Sequence, residues 1–392
     1  MSGTWVNQLG LAYNPYKYVE ASSDPHLGDY LIGHHVSTHI RRQEPLLVFA
    51  PHGGGKTALR LLAGRQAWIE RRALPVAYLL PTHTRYQDHA TFAEHLRGIV
   101  RATAIALWIA IAFRPELALS LNSAQLTQLV TLLDAHLPAR LAHYLAILRD
   151  EGTPAVLAVF LDRVVNLPDP PHEMLVHEFC DKLEKHLPAS QSSPSSIEQS
   201  WRAQCEFIFD TFAFPALELL VDGVDATPRT FANPDAEVRW LAPLLEHAPR
   251  WADQKIFLKA FLPEDAQHEL LELSHIRANF GVTSIEWSPS HLTEMLRRRL
   301  YAASHGIFNS LNVIAAPDVQ EIESQIANTA LPRPREAIAL TQRVLDSYAA
   351  RLGAHEDNLT AQDLERAFKA YRSEIEQTEI TPANLTNELV PV

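Results

Sequence analysis

Residues 50–57 read Ala-Pro-His-Gly-Gly-Gly-Lys-Thr and carry the residue types that bind phosphate. Consecutive glycines let backbone N–H groups curl around an anion, and the N-terminus of a following helix adds a favourable field. The ammonium group of Lys56 could reach the terminal phosphates of a nucleotide, and the hydroxyl group of Thr57 could ligate Mg²⁺. An ordinary glycine-rich turn between a strand and a helix is the alternative. The residues expected to contact nucleotide here are Pro51, His52, Gly53, Gly54, Gly55, Lys56, Thr57 and Ala58.

A second segment, residues 217–225, supplies the acidic partners that such a loop needs. It is largely apolar up to Asp222, which would emerge at the carboxyl end of a buried strand, where ligands bind in α/β proteins. We expect Asp222 to hold Mg²⁺ through water and Asp225 to polarise the attacking water. A plain strand that ends in an Asp-Gly turn would give the same pattern.

These residues must be positioned by strands and helices. Short apolar runs bounded by turn residues predict buried parallel strands at 45–50, 75–80, 216–221, 255–261 and 282–287. Helical spacing predicts helices at 56–72, 92–113, 123–148, 154–165, 172–186, 197–212, 234–247, 263–277, 291–304, 319–328, 335–352 and 360–373. Alternating strands and helices predict an α/β fold with a parallel five-stranded sheet.

The order of these elements predicts six segments along the chain. They are an N-terminal arm that contributes to the nucleotide site (1–45), a first part of the core (46–113), a helical insertion with a Ser/Pro-rich linker (114–196), a second part of the core (197–289), a C-terminal all-helical lid (290–373) and a polar, frayed tail (374–392). The insertion is a candidate surface for a partner.

Composition limits the class of protein. The 392 residues are 47% hydrophobic, so disorder is excluded as the main state, and 34 basic against 46 acidic residues give a net charge of −12. This charge argues against a uniformly basic nucleic-acid surface. Two cysteines without metal-ligand spacing fit a reducing cytoplasm. The longest apolar run, 102–113, is too short to span a membrane, so we expect a buried helix and no membrane partner.

Together the two motifs resemble those of the AAA+/STAND-type P-loop NTPases, within which the chain is similar to bacterial signalling ATPases allied to origin-recognition proteins. Walker A corresponds to residues 50–57, although Ala50 replaces the usual first glycine, and Walker B corresponds to residues 217–225. The resemblance implies a P-loop NTPase core in which Gly33 and His34 line the adenine site and Lys259 senses nucleotide from the fourth strand.

The same resemblance implies a catalytic arginine. Arg335, at the start of a helix in the lid, corresponds to the sensor-2 position, and the wider set of candidates is Arg297, Arg298, Arg299, Arg333 and Arg335. Such a cation stabilises the charge that develops on the γ-phosphate. A solvated helix face with salt bridges is the alternative for 297–299.

The expected function is that of a regulatory ATPase, a hydrolase that binds ATP or ADP with Mg²⁺ and hydrolyses ATP slowly. We expect a nucleotide-dependent switch that forms a homo-oligomer or engages a partner protein in trans, in bacterial defence or signalling. One alternative is a DNA-associated AAA+ loader or transposition-type ATPase, which the acidic net charge disfavours. The other is a catalytically weak nucleotide-binding scaffold, in which case Ala50 and Asp225 would be signs of lost turnover.

Overall fold

The structure is a computed structural model that describes residues 3–30, 36–80, 89–189, 196–227, 229–351 and 358–380. The chain divides into two compact units. The sheet unit comprises residues 21–28 and 33–285, and the helical unit comprises residues 1–20, 29–32 and 286–392. The predicted insertion is therefore part of the sheet unit, whereas the first 20 residues of the predicted arm belong to the helical unit.

Five strands form one all-parallel sheet in the order β2-β3-β4-β1-β5. They are β1 Leu46–Ala50, β2 Leu74–Leu79, β3 Leu217–Asp222, β4 Ile256–Pro263 and β5 Gly281–Ser284. Every residue of β1 and β3 is buried, as expected for central strands that are covered on both faces. The predicted α/β fold with five parallel strands is confirmed.

Helices fill the rest of both units. The described helices are α1 Gly3–Gln8, α2 Leu27–Tyr30, α3 Ser37–Ile40, α4 Lys56–Ile69, α5 Phe92–Phe113, α6 Glu116–Leu119, α7 Ser123–His136, α8 Leu141–Val159, α9 Glu173–Glu184, α10 Ile197–Cys205, α11 Pro234–Leu245, α12 Ala248–Ala252, α13 Gln267–Glu272, α14 Ser274–Asn279, α15 Pro289–Ala303, α16 Ile322–Thr329, α17 Pro334–Arg351 and α18 Ala361–Ile380.

Helix α5 is the central helix of the sheet unit. A capping box between Thr91 and Glu94 fixes its start, and its apolar sequence packs against β2, α7, α8 and α10. With 22 residues it is long and apolar enough to cross a membrane, but 83% of its most apolar window is buried inside the protein. The predicted buried helix is confirmed by this burial, although its full length exceeds that of the 102–113 run on which the prediction rested.

Three helices differ in their bounds or shape from what spacing alone predicts. The single helix predicted at 123–148 is wrong, because Pro138 lacks an N–H and forces Leu137 out of the helical region, so α7 ends and α8 begins after the break. Helix α8 itself bends at Gly152, whose φ is 79°. In the helical unit, α18 continues to Ile380, beyond the point at which the sequence predicts a frayed tail.

The helical unit has its own hydrophobic core. Trp5 and Tyr16 from the N-terminal segment are completely buried in it, beside residues of α15 to α18. Arg299 of α15 holds this segment, because it donates a 2.7 Å hydrogen bond to the carbonyl group of Pro15 and its guanidinium lies 4.5 Å from the centre of the Tyr30 ring.

Candidate phosphate-binding site

The topology of the sheet favours one of its edges as the place for a ligand. From β1 the chain continues to β2 at one side of the sheet, whereas from β4, which is hydrogen-bonded to β1, it continues to β5 at the other side. When the connections from two neighbouring strands run in opposite directions, they leave a crevice beyond the carboxyl ends of these strands. Ligands of open α/β sheets bind in such a crevice. Residues 51–55 follow β1 directly at this crevice.

The glycines give the segment between β1 and α4 its shape. Gly53 and Gly55 have φ of 74° and 91°, in the region that favours glycine. A Cβ atom on Gly54 would lie 2.8 Å from the carbonyl oxygen of Pro51, so no larger residue fits without a shift. Helix α4 starts after Gly55 without a side-chain cap. Its first N–H groups therefore point to a position where an anion could bind.

Lys56 lies at the first position of α4 and is nearly buried. Its Nζ atom is 3.2 Å from Oδ2 of Asp225 and donates longer hydrogen bonds to the carbonyl groups of Ala50 and Pro51. The two residues that the sequence predicts for phosphate binding and for water activation are thus in direct contact. The ion pair orients the lysine towards the end of β3.

His52 extends from the same loop and is half exposed. Its Nδ1 atom is 3.8 Å from Oδ2 of Asp225, and its ring meets the edge of Phe231 at 5.2 Å between centroids. Phe231 is 54% exposed and follows the Asp225 turn. The sequence gives no indication of this aromatic contact, because 179 positions separate the two rings in the chain.

Asp222 lies at the carboxyl end of β3, two strands away from β1. Its Oδ2 atom accepts a 2.8 Å hydrogen bond from the hydroxyl group of Thr57 and a 3.0 Å bond from Nε of Arg60, while Oδ1 accepts one from the N–H of Gly223. Thr57 and Asp222, the predicted magnesium ligands, are therefore brought together across the sheet.

Arg60 is a residue that the motif analysis missed. It is 1% exposed, pairs with Asp222 and also donates to the backbone carbonyl of Asp162, which follows α8. A signal was present in the sequence, because Arg60 stands between leucines on the buried face of α4, one turn after Lys56. A charged residue at such a position needs a buried partner.

The oxygen atoms of Thr57 and Asp222 fit one side of a magnesium site. Protein sites for Mg²⁺ typically supply one or two such ligands and leave the others to phosphate and water oxygens. Within the described ranges, no group of three or more His, Cys, Asp or Glu residues could hold a metal ion on its own. Any Mg²⁺ here would thus depend on a bound phosphate.

Glu237 of α11 is a second residue that the motif analysis missed. It is completely buried, and neither of its carboxyl oxygens has a hydrogen-bond partner among the residues that the structure describes. Burial, and then the negative charges of Asp225 and Asp265, raise the pKa of its carboxyl group to about 8, while Lys56 opposes this shift. The sequence did indicate this residue, because Glu237 is an acidic residue on the apolar stripe of α11 that contains Trp240 and Leu244.

Lys259 does not lie at this edge of the sheet. It pairs in register with Leu46, the first residue of β1, so four residues of β4 separate it from the carboxyl end. Its Nζ atom is 2.9 Å from Oε1 of Glu218 and donates to the carbonyl group of Ile40. Burial lowers the pKa of Lys259, and the charge of Glu218 opposes that change. The structure therefore does not bring this predicted sensor to the loop.

The arginine candidates 297–299 and 335 make contacts within the helical unit. Arg335 forms a 2.7 Å ion pair with Glu20, Arg298 pairs with Glu294, and Arg297 lies 3.9 Å from Glu323. For Arg297 and Arg298 these contacts match the alternative of a helix face with salt bridges. Arg333 precedes α17 and is partly exposed. A catalytic role for Arg335 stays a prediction, and Gly33 and His34 lie outside the described residues.

No protein-family model matches the chain, and no curated protein or solved structure matches it at a significant level. The resemblance to P-loop NTPases thus depends on the residues of the two motifs themselves.

Proposed function

We propose that this chain is an ATP-binding, slowly hydrolysing ATPase of the AAA+/STAND-like P-loop kind. The observation that carries the proposal is the 2.8 Å contact between Oγ1 of Thr57 and Oδ2 of Asp222. It joins two motifs 165 residues apart at the crevice where the topology favours a ligand. A glycine-rich strand–helix turn that has only a structural role has no need of this acidic partner.

In this proposal the loop and the first turn of α4 bind the phosphates through backbone N–H groups. Lys56 exchanges Asp225 for a phosphate oxygen, and Thr57 with Asp222 would hold Mg²⁺, which supplies positive charge to the phosphates. Asp225, freed from its ammonium partner, accepts a proton from the water that attacks the γ-phosphorus. The bond between that phosphorus and the bridging oxygen breaks, and its electron pair remains on ADP.

The charge pairs at the site also favour a second candidate, the catalytically weak nucleotide-binding scaffold. Asp225 is paired with Lys56, and Asp222 is paired with Arg60. Each acid that would act in hydrolysis is thus paired with a cation, and turnover would be slow or absent unless the nucleotide displaces that cation. The net charge of −12 continues to disfavour the DNA-associated alternative.

As a switch, the protein would act in the cytoplasm and would change its assembly or its partner protein between the ADP and ATP states. Light scattering after size-exclusion chromatography, with and without ATP and Mg²⁺, measures this change, and phosphate release measures turnover. We expect wild type and Lys56→Ala to differ in both, with Lys185→Ala, an exposed lysine of the same unit, as the matched control. A monomer without turnover that retains bound ATP would favour the scaffold. The same rates and assembly in Lys56→Ala as in wild type would overturn the ATPase proposal.

A further inference from the structure

Glu237 lies where four elements meet. Helix α11 packs against residues 224–226, residues 264–266, α13 and α5. The first three elements carry Asp225, Asp265 and Glu269, whose negative charges act on Glu237, and Lys56 of the phosphate loop supplies the opposing positive charge. The buried carboxyl group is therefore in electrostatic contact with the two residues that would handle phosphate and water.

The charged groups on α5 do not compensate Glu237, since the two cations of that helix, Arg97 and Arg101, are exposed and do not act on the Glu237 carboxyl group. His95 faces α11, but its ring nitrogens are bonded to the carbonyl group of Trp240 and the hydroxyl group of Tyr78. Burial lowers the pKa of His95, so it is neutral at physiological pH. Glu94 is on the exposed side and bonds to the Thr91 cap.

Lys56 cannot serve as the missing partner, because its ammonium group is held by Asp225 at 3.2 Å. An ionised carboxylate without a hydrogen bond or a paired cation is strongly disfavoured in a buried position, whereas a neutral carboxyl group is tolerated. The geometry thus favours a protonated Glu237 near the contact between Asp225 and Lys56.

We propose that the neutral carboxyl group of Glu237 is what allows this site to accept a polyphosphate, so that nucleotide binding is linked to a proton on Glu237. The inference rests on the proposed nucleotide-binding function. When Lys56 turns to the phosphates, Asp225 loses its cation and the ligand brings further negative charge. A second buried carboxylate at that point would repel the ligand, whereas a neutral acid does not.

The sign of the pH dependence follows directly. Bound phosphate stabilises the protonated form of Glu237, so binding takes up a proton whenever the free protein has lost it. Nucleotide affinity is therefore constant below the pKa of about 8 and falls above it. For one fully linked proton the dissociation constant rises about tenfold from pH 8.5 to pH 9.5.

The test is isothermal titration of Mg²⁺–ADP into the full chain at pH 7, 8.5 and 9.5. We expect the wild-type dissociation constant to rise about tenfold between the last two values, and that of Glu237→Gln to stay within about twofold. Asp235→Asn removes an exposed carboxylate from the same helix and should follow wild type. Should Glu237→Gln not fold, wild type in buffers of different ionisation enthalpy still reports the uptake of about one proton at pH 9.5.

Three outcomes overturn the inference and are distinguishable. If wild type binds Mg²⁺–ADP with the same affinity at all three pH values and takes up no proton, the linkage is wrong and the proposed function stands. If wild type does not bind Mg²⁺–ADP at pH 7, the proposed function fails, and the inference that rests on it fails as well. An equal loss of affinity at high pH in Glu237→Gln and wild type would assign the titration to another group.

Discussion

Two groups of buried charges lie on the same sheet and differ in how well they are compensated. At the amino ends of the strands, Glu218 of β3 accepts bonds of 2.9 Å from both Lys259 of β4 and Arg72. Four residues further along β3, about 13 Å away, Asp222 is paired with Arg60 at the carboxyl end. Among the residues described, only this second group also includes a fully buried acid without a hydrogen-bond partner. That acid is Glu237.

We interpret the first group as structural and propose a functional role for the second. The carboxylate of Glu218 has two cations and costs the fold little, because its burial is matched by charge-assisted hydrogen bonds. Among the described residues Glu237 has neither a hydrogen bond nor a cation of its own, and such a group lowers the free energy of unfolding when it is ionised. Strongly perturbed acids of this kind concentrate at sites that bind or react.

The largest expected effect is at the amino ends of the strands. Glu218→Ala leaves Lys259 and Arg72 without their shared partner, so we expect the free energy of unfolding in urea to fall by about 3–5 kcal/mol. Asp253→Asn, which removes an exposed carboxylate before β4, serves as the control and should change it by less than about 0.5 kcal/mol. A small effect of Glu218→Ala would contradict a structural role for this group.

Arg60→Met is the equivalent change at the carboxyl ends. Asp222 retains the bonds from Thr57 and Gly223 but loses its cation, so we expect a loss of about 2–3 kcal/mol in urea unfolding. The uncompensated carboxylate should also lower the Mg²⁺ concentration needed for half-maximal nucleotide binding. Arg65→Met, on the same helix, loses only a bond to the carbonyl of Asn166 and should cost about 1 kcal/mol. Equal effects of the two variants would argue against the ion pair.

Glu237→Gln should raise the free energy of unfolding, whereas the two changes above lower it. The folded protein holds a proton on Glu237 up to a pKa of about 8, whereas an unfolded chain releases it near 4.5, so wild-type stability falls as pH rises between these values. We expect the variant to gain on the order of 1–3 kcal/mol over wild type at pH 8, and nothing at pH 4.5. Chemical unfolding at the two pH values measures this difference. Parallel profiles for both proteins would show that Glu237 is not protonated in the fold.

Asp225→Asn should have the smallest effect on stability and a clear effect on the ligand. Without Asp225, the Lys56 ammonium group keeps its hydrogen bonds to the carbonyl groups of Ala50 and Pro51, so we expect a loss of only about 1 kcal/mol. Release of Lys56 and removal of a negative charge should tighten Mg²⁺–ADP binding by about threefold to tenfold, while phosphate release from ATP falls. Asp235→Asn again controls for the charge change. Weaker ADP binding in Asp225→Asn would contradict competition between Asp225 and phosphate for the lysine.

Local patterns in the sequence predict most of the fold. Strands such as 45–50 and 216–221 are predicted because buried parallel strands are continuous apolar runs between turn residues, and α5 is predicted because of its apolar helical spacing. The break at Pro138 could have been recognised, since proline removes a helical hydrogen bond. Helical spacing does place a break between the predicted helices 123–148 and 154–165, and the structure shows it as the bend of α8 at Gly152.

The candidate site is predicted only in part, because motifs identify loops and strand ends but not the side chains that pack between them. Lys56, Thr57 and Asp222 are found together as the motifs predict. The partners Arg60 and Glu237 depend on which helix face becomes buried against the strand ends. Lys259 is the opposite case. The resemblance assigns this polar residue of an apolar strand to the nucleotide, but its ammonium group pairs with Glu218 of the neighbouring strand.

Equilibrium binding of Mg²⁺–ATP at pH 7 tests the central claim most directly. The account predicts that wild type and Lys185→Ala bind with the same affinity, whereas Lys56→Ala binds at least about 100-fold more weakly because the loop has lost its cation. Circular dichroism would verify that all three proteins are folded. Wild type that does not bind ATP, or Lys56→Ala that binds as tightly as Lys185→Ala, would contradict a phosphate-binding role for this loop.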